Sequence, residues 1–211
     1  MSKHYGTIAF TEAVRGVQRV QGSNAFYERK RVQGAAVPGS DPLTDVEKAY
    51  LAERDSFYLA TVSETGWPYV QFRGGLTGFL RVIDDHTIGW ADFRGNLQYI
   101  STGNATGESR VALIVMDYPH HRRLKIYGHA RIITAEQDPT LVASLSDPAY
   151  DAVIERAVVI AVEAYDWNCP QHIPARFTVA ELEAHLAPLR EQLAELQAEN
   201  AELRSMLHQA E

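Results

Sequence analysis

Apolar residues follow two patterns along this chain. Between about residues 56 and 169 they form short strand-like runs divided by turn residues, and after Thr178 they recur at heptad spacing. Residues 57–62 predict a first strand. Glu64-Thr65-Gly66 predicts its turn, and Trp67-Pro68-Tyr69-Val70-Gln71-Phe72-Arg73 predicts the returning strand, which Gly74-Gly75 breaks. Residues 80–83, an Asp84-Asp85 turn and residues 87–91 predict a second hairpin. Asp92-Phe93-Arg94-Gly95-Asn96 then opens a short helix near 95–103. Long strands are expected at 110–118 and 122–133, a short helix at 138–145, and a last strand at 156–167, where Val158, Ile160 and Val162 recur at every second position. Asp147-Pro148 marks a turn, and residues 168–174 read as a loop.

Upstream, Val14, Val17 and Val20 predict a helix over 11–20 that Gly22-Ser23-Asn24 stops, with a loop at 34–42. Thr44 with Glu47 forms a capping box for a helix that ends near Asp55. The expected architecture is β-rich α+β in three parts: an extension over 1–43, a barrel over 44–177 and a helix over 178–211.

The last part carries its own signal. Thr178 and Glu181 form another capping box, and Leu182, Leu186, Leu189, Leu193, Leu196, Asn200, Leu203 and Leu207 are spaced alternately four and three apart. That is an a/d seam, with Leu at d and one Asn at a, the combination that favours a parallel coiled-coil homodimer. Glu199 at g faces Arg204 at the following e of such a partner. The alternative is an amphipathic helix lying on its own barrel, which would need a wider apolar stripe. Pro188 cannot donate to the carbonyl of Ala184, which predicts a kink or restart there and confines the zipper to 189–207.

Composition changes the picture little, but charge does. Apolar residues make up 45% and charged residues 22% of 211, an ordinary globular balance. The net charge is −7, of which −5 falls in residues 178–211, so acidity belongs to the tail rather than to any site. Without a basic excess, a nucleic-acid partner is not expected. The single Cys169 excludes an intrachain disulfide framework and a cysteine zinc site, and no metal is expected. No apolar leader or membrane-length run is apparent, so a cytoplasmic location is expected.

Candidate chemistry concentrates in three segments. Asp92 to Leu97 sits at a strand-to-helix junction, where free backbone N–H groups, Arg94 and the close approach allowed by Gly95 suit a phosphate. Gln71 and Arg73 alternate on one strand face and point at the same place. The competing reading is that Asp92 caps a helix and Arg94 is solvated. Arg123 and Lys125 lie inside a strand and need a partner or an open face, whereas His120, His121 and Arg122 read as a solvated turn. Residues 166–176 crowd Trp167, Cys169, His172 and Arg176 into a proline-bracketed loop, where Trp167 is either a stacking face or core and Arg176 an anion clamp. No nucleophile elbow, P-loop, His-Glu-x-x-His or dinucleotide fingerprint is present.

Taken in order, Gly66-Trp67-Pro68-Tyr69, residues 90–97, residues 110–118, the 123–128 strand and the 167–176 loop resemble the pyridoxamine 5′-phosphate oxidase-like family of FMN-binding split barrels over roughly residues 44–177. The resemblance implies a homodimer with FMN at the subunit interface. It implies that Gln71, Phe72, Arg73 and Gly74 run along the flavin and ribityl chain, with Gly75 next to them, and that Trp90 and Ala91 contact the cofactor by backbone. Arg94, Gly95 and Asn96 then match the phosphate turn, Arg123 a polar cofactor contact, and Trp167 and Arg176 residues supplied across the interface. The chain departs from the oxidases: Arg-Gly-Asn replaces their Ser-Arg-Lys, Gln71 and Leu76 replace Arg and Lys, and their Arg-x-His-Asp-Arg segment is missing. Vitamin B6 oxidation is therefore not implied, and electrostatic binding of the FMN phosphate should be weaker.

The function implied is an FMN-binding oxidoreductase of unassigned catalytic residues, acting on a small-molecule substrate or reductant, with His172 and Tyr69 as candidates for proton handling. A non-catalytic flavin carrier or redox sensor, and a cofactor-free dimer platform, are the alternatives.

Overall fold

A computed structural model of the chain describes residues 4–35 and 39–209. The predicted 34–42 loop falls partly outside them: Gly34 and Ala35 are helical, and 36–38 are not described. Seven strands form one antiparallel sheet: β1 (Ser56–Val62), β2 (Pro68–Gly74), β3 (Arg81–Asp84), β4 (Thr87–Phe93), β5 (Arg110–Asp117), β6 (Arg122–Thr134) and β7 (Ile154–Trp167). Their order across the sheet is β2-β1-β5-β6-β7-β4-β3.

Alternation decides which face is core. Along β5, Val111, Leu113 and Val115 are buried and the residues between them are half-covered, as a period of two requires. Phe57 and Leu59 of β1, Leu124 and Ile126 of β6, and Val158, Ile160 and Val162 of β7 join them around Trp90. The indole of Trp90 meets the Phe57 ring edge-on, with centroids 5.0 Å apart. Side chains of this kind each stabilise by about 1.5–3 kcal/mol when fully buried. β6 and β7 can run long because a bulge between Tyr127 and Gly128 bends the pair. A Cβ at Gly128 would lie 2.4 Å from the Ala161 carbonyl oxygen, so only glycine fits that approach.

Helix α4 (Asp45–Ala52) starts with the predicted capping box, in which the Thr44 backbone N–H donates to Glu47 at 3.1 Å. Helix α2 (Glu12–Val20) and helix α6 (Pro139–Leu145) also lie where predicted, capped by Thr11 and Asp138. Two helices were not predicted: α1 (Tyr5–Ala9), whose Tyr5 ring stacks on Tyr127 at 5.2 Å, and α3 (Asn24–Ala35). A further correction concerns α5. It spans Ile100–Gly107, not 95–103, because Leu97 and Tyr99 take left-handed φ of 63° and 54°, which no helix accommodates.

By contacts, the described residues up to Asp117 together with His121–His172 form one compact unit, and Tyr118–His120 with the described residues from Ile173 onward form another. The second unit is dominated by α7 (Val179–Gln209), 31 residues long. Its capping box is present: the Thr178 N–H donates to Glu181 at 2.7 Å, and Thr178 Oγ1 accepts from the Glu181 N–H at 3.2 Å. The helix does not restart at Pro188 but is continuous through it. Alanine, leucine, glutamate and glutamine on both sides are strong helix formers and outweigh one missing hydrogen bond.

Candidate functional site

A narrow cleft opens where β2, β4, the start of β7 and the first turn of α5 meet. Tyr69, Gln71, Arg73, Asp92, Glu155 and Ser101 line it, together with the loop from Gly95 to Tyr99. Register explains the assembly. Gln71 and Arg73 stand opposite Leu59 and Phe57, so both share the inner face of β2. Asp92 pairs with Arg156 across β4 and β7, which brings a charged residue of each strand to one place.

Around Asp92, which lines the cleft, lies an ion network. Arg73 Nη1 lies 2.9 Å from Asp92 Oδ1, and Arg156 Nε lies 3.6 Å from Asp92 Oδ2. Both guanidiniums favour the Asp92 carboxylate, but burial is the larger influence and raises its pKa above the ordinary value. Nearer the rim, Arg94 Nε donates to Glu155 at 2.9 Å and the Tyr99 hydroxyl donates to the same oxygen at 3.1 Å. The Arg94 hydrogen bond is the largest influence on Glu155 and holds its pKa low. Three arginines thus meet two carboxylates, and the Nε atoms of Arg73 and Arg156, like Oδ1 of Asp92 between them, are buried without a hydrogen-bond partner. The surplus charge and the unsatisfied donors suit an anion.

The backbone adds to this. The N-cap of α5 is Tyr99, which makes no side-chain cap, and Ile100, Ser101 and Thr102 line the cleft. The helix therefore presents the positive end of its dipole there. Arg94, Gly95 and Asn96 were expected at this helix start. They lie instead in the preceding loop, where Asn96 Oδ1 accepts from the Gln98 N–H at 3.2 Å. A Cβ at Gly95 would meet nothing within 4 Å, so the space beside it is open. The cleft holds only about 40 Å³, room for a phosphate-sized group rather than a flavin, since ligand pockets run to about 300–1,000 Å³.

The other sequence candidates are dispersed. Phe72 points to the opposite face of β2, where its ring meets Tyr58 at 5.6 Å. Gly74 lies at the end of β2. Trp90 and Ala91 are both 1% exposed, lie in different core clusters, and do not line the cleft. Arg123 stands on β6 opposite Met116, on the outer face that also carries Phe72. Trp167 packs against Tyr50, with ring centroids 4.7 Å apart. Arg176 belongs to the second unit, where it lies 4.9 Å above the Tyr118 ring. Sequence reasoning missed Glu155, Arg156, Ser101 and Tyr99. An Arg-Glu pair at a strand start was the only available signal for the first two.

A larger cavity of about 1010 Å³ runs along β1, β5 and β6 and contains none of the candidates. Glu64, Glu108 and Glu163 line it, which disfavours an anionic cofactor. Arg110, hydrogen-bonded to Glu108, lowers that carboxyl to about 2. Among the described residues no group of three or more His, Cys, Asp or Glu is placed to hold a metal, and no helix is long and apolar enough to cross a membrane.

The sequence profile described as pyridoxamine 5′-phosphate oxidase matches residues 43–168. The chain belongs to that family, and its seven-stranded antiparallel sheet with flanking helices is the family's split barrel. A search of curated proteins gave no match. Several solved structures are similar. HupZ from Group A Streptococcus is 17% identical, over 64% of this chain and 100% of its own, with a TM-score of 0.45. General Stress Protein 26 from Bacillus anthracis is 13% identical, over 57% and 89%, with a TM-score of 0.43. An FMN-binding protein from Syntrophomonas wolfei is 12% identical, over 59% and 90%, with a TM-score of 0.43.

Proposed function

We propose that this chain is a flavin-dependent oxidoreductase that binds FMN between two copies of itself. The observation that carries the reading is the arginine pair around Asp92, where Arg73 and Arg156, both half-buried, keep buried Nε donors unsatisfied near an open glycine turn. Arg73 and Arg156 would hold the phosphate from below. Arg94 would reach it from the rim once released from Glu155, and the first turn of α5 would add backbone N–H groups. When bound, the isoalloxazine would supply the electron transfer.

The small volume of the cleft argues that the rest of the cofactor lies outside it, against a second chain. The outer face of β1 and β2 suits that role: Val70 and Phe72 are each more than half exposed, and Arg123 lies on the same face. A second copy packed there would cover the apolar strip and bring its Arg123 toward the neighbouring site.

One observation favours a second reading, a flavin carrier or redox sensor. Both carboxylates of the cleft are committed to arginines, so neither is a ready proton carrier. Turnover with a reductant and an acceptor separates the two readings.

The test of the cofactor itself is the visible spectrum of the purified protein, with the mass of whatever heat releases. Flavin bands and an FMN mass support the proposal. A colourless protein that takes up no added FMN removes it, and a different mass redirects it to that cofactor.

A further inference from the structure

Helix α7 leaves its leucines uncovered: Leu189, Leu193, Leu196, Leu203 and Leu207 are each more than half exposed. The stripe they form is narrow. Apart from Met206 at one g position it follows a and d, whereas a helix lying on a sheet needs apolar residues at e or g throughout. A strip of that width fits one facing helix of the same kind.

The polar residues say which helix. Asn200 interrupts the seam at an a position, and against a leucine its buried amide would lose its hydrogen bonds. Opposite the same residue of an identical helix in register, the two amides can bond to each other. Glu199 at g and Arg204 at the next e carry opposite charges at the spacing that a parallel pair brings together. On the e edge, Arg190 already reaches back to Glu183 of its own helix, at 3.3 Å for the longer of two bonds. The structure also lengthens the seam. Pro188 occupies a c position, away from the a/d stripe, and the helix is continuous across it. Leu182 and Leu186 therefore belong to the same helix as the later leucines, instead of being cut off at 189. At about 1.5 Å per residue the 31-residue helix is roughly 46 Å long.

We propose that α7 pairs with α7 of a second copy of this chain as a parallel, in-register two-stranded coiled coil from Leu182 to Leu207, with Asn200 setting the register. The inference is independent of the cofactor: a protein that binds no flavin would leave it standing.

The test uses the full chain carrying Cys169→Ser, because Cys169 is exposed and free. Leu207→Cys places a thiol at the last a position, and Ser205→Cys places one at an f position on the outside of the same turn. Under mild oxidation the Leu207→Cys protein should form disulfide-linked dimers at least tenfold faster than the Ser205→Cys protein. Adding Leu196→Glu should abolish that difference while helix content holds. An antiparallel pair would set the two residue-207 positions at opposite ends and give no cross-link. A helix folded onto its own barrel would give none either. Absence of cross-linking, equal rates at the two positions, or a cross-link that survives Leu196→Glu would each overturn the proposal.

Discussion

The indole N–H of Trp167 donates to the Glu47 carboxylate at 2.6 Å, across 120 residues of chain. The same carboxylate accepts the Thr44 N–H in the capping box of α4, so one side chain joins the start of a helix to the end of the longest strand. Tyr50, one turn further along α4, packs its ring edge-on to the Trp167 indole and donates its hydroxyl to the Val115 carbonyl at 3.0 Å. The tryptophan that resemblance assigns to a cofactor is, within one chain, a latch between layers.

That gives Trp167 two separable roles. Trp167→Phe keeps most of the packing and removes the donor, leaving the buried Glu47 less satisfied. It should cost about 1–3 kcal/mol, or roughly 2–4 °C in melting temperature per kcal/mol for a chain of this size. Thermal melts and flavin titration on the same variant divide the roles. An unchanged melting temperature with weakened flavin binding would mean that the latch matters little.

Glu47 also predicts a pH dependence. Burial is its largest influence and raises its pKa, but hydrogen bonds from Thr44, from Trp167 and from backbone together outweigh burial and leave it below the ordinary 4.5. A carboxyl with a depressed pKa in the folded state contributes stability above its unfolded value and loses it as pH falls through the folded value. The stability advantage of the parent over Glu47→Gln should therefore shrink as the pH is taken from about 6 to below the ordinary 4.5. Melts across that range check it; a constant gap would contradict it.

The cleft makes opposite predictions for neighbouring residues. Arg94→Ala should weaken FMN binding about tenfold, near 1.4 kcal/mol, a typical worth for a charge-assisted contact. Glu155→Gln should strengthen binding, because it loosens the hold on Arg94 and Arg156. Fluorescence titration with FMN at low and high salt measures both. Equal affinities for the three proteins would remove the phosphate assignment.

Gly95→Ala should leave the melting temperature unchanged, because nothing lies within 4 Å of the added methyl, yet lower FMN affinity by filling the approach to the turn. A variant that binds FMN as tightly as the parent would place the phosphate elsewhere.

Gly128→Ala is the counterpart in the sheet. Its methyl would lie 2.4 Å from the Ala161 carbonyl oxygen and 2.6 Å from an Ile160 methyl, both held by the β6–β7 ladder. Backbone must move, and a loss of about 3 kcal/mol or more is expected. Urea denaturation reads it; a loss under 1 kcal/mol would mean the bulge relaxes freely.

What the sequence determined by itself is whatever depends on near neighbours. The strands were legible because β-type runs and turn residues alternate locally, and α4 and α7 because their capping boxes lie within four residues. Gln71 and Arg73 were legible as a pair because alternation alone puts them on one face. Helix α3 was not, since its charged, aromatic sequence has no apolar face to read. The start of α5 was not, since left-handed φ at Leu97 and Tyr99 leaves no mark in residue type. Glu155 and Arg156 reach Arg94 and Asp92 only because β7 pairs with β4, a contact spanning some 60 residues that no local pattern encodes. The heptad seam was written in the sequence, while its continuity through Pro188 depended on how much helix propensity surrounds one missing N–H. Tertiary structure decided what charge meets what charge, because ion pairs form between strands that are neighbours in space and distant in the chain.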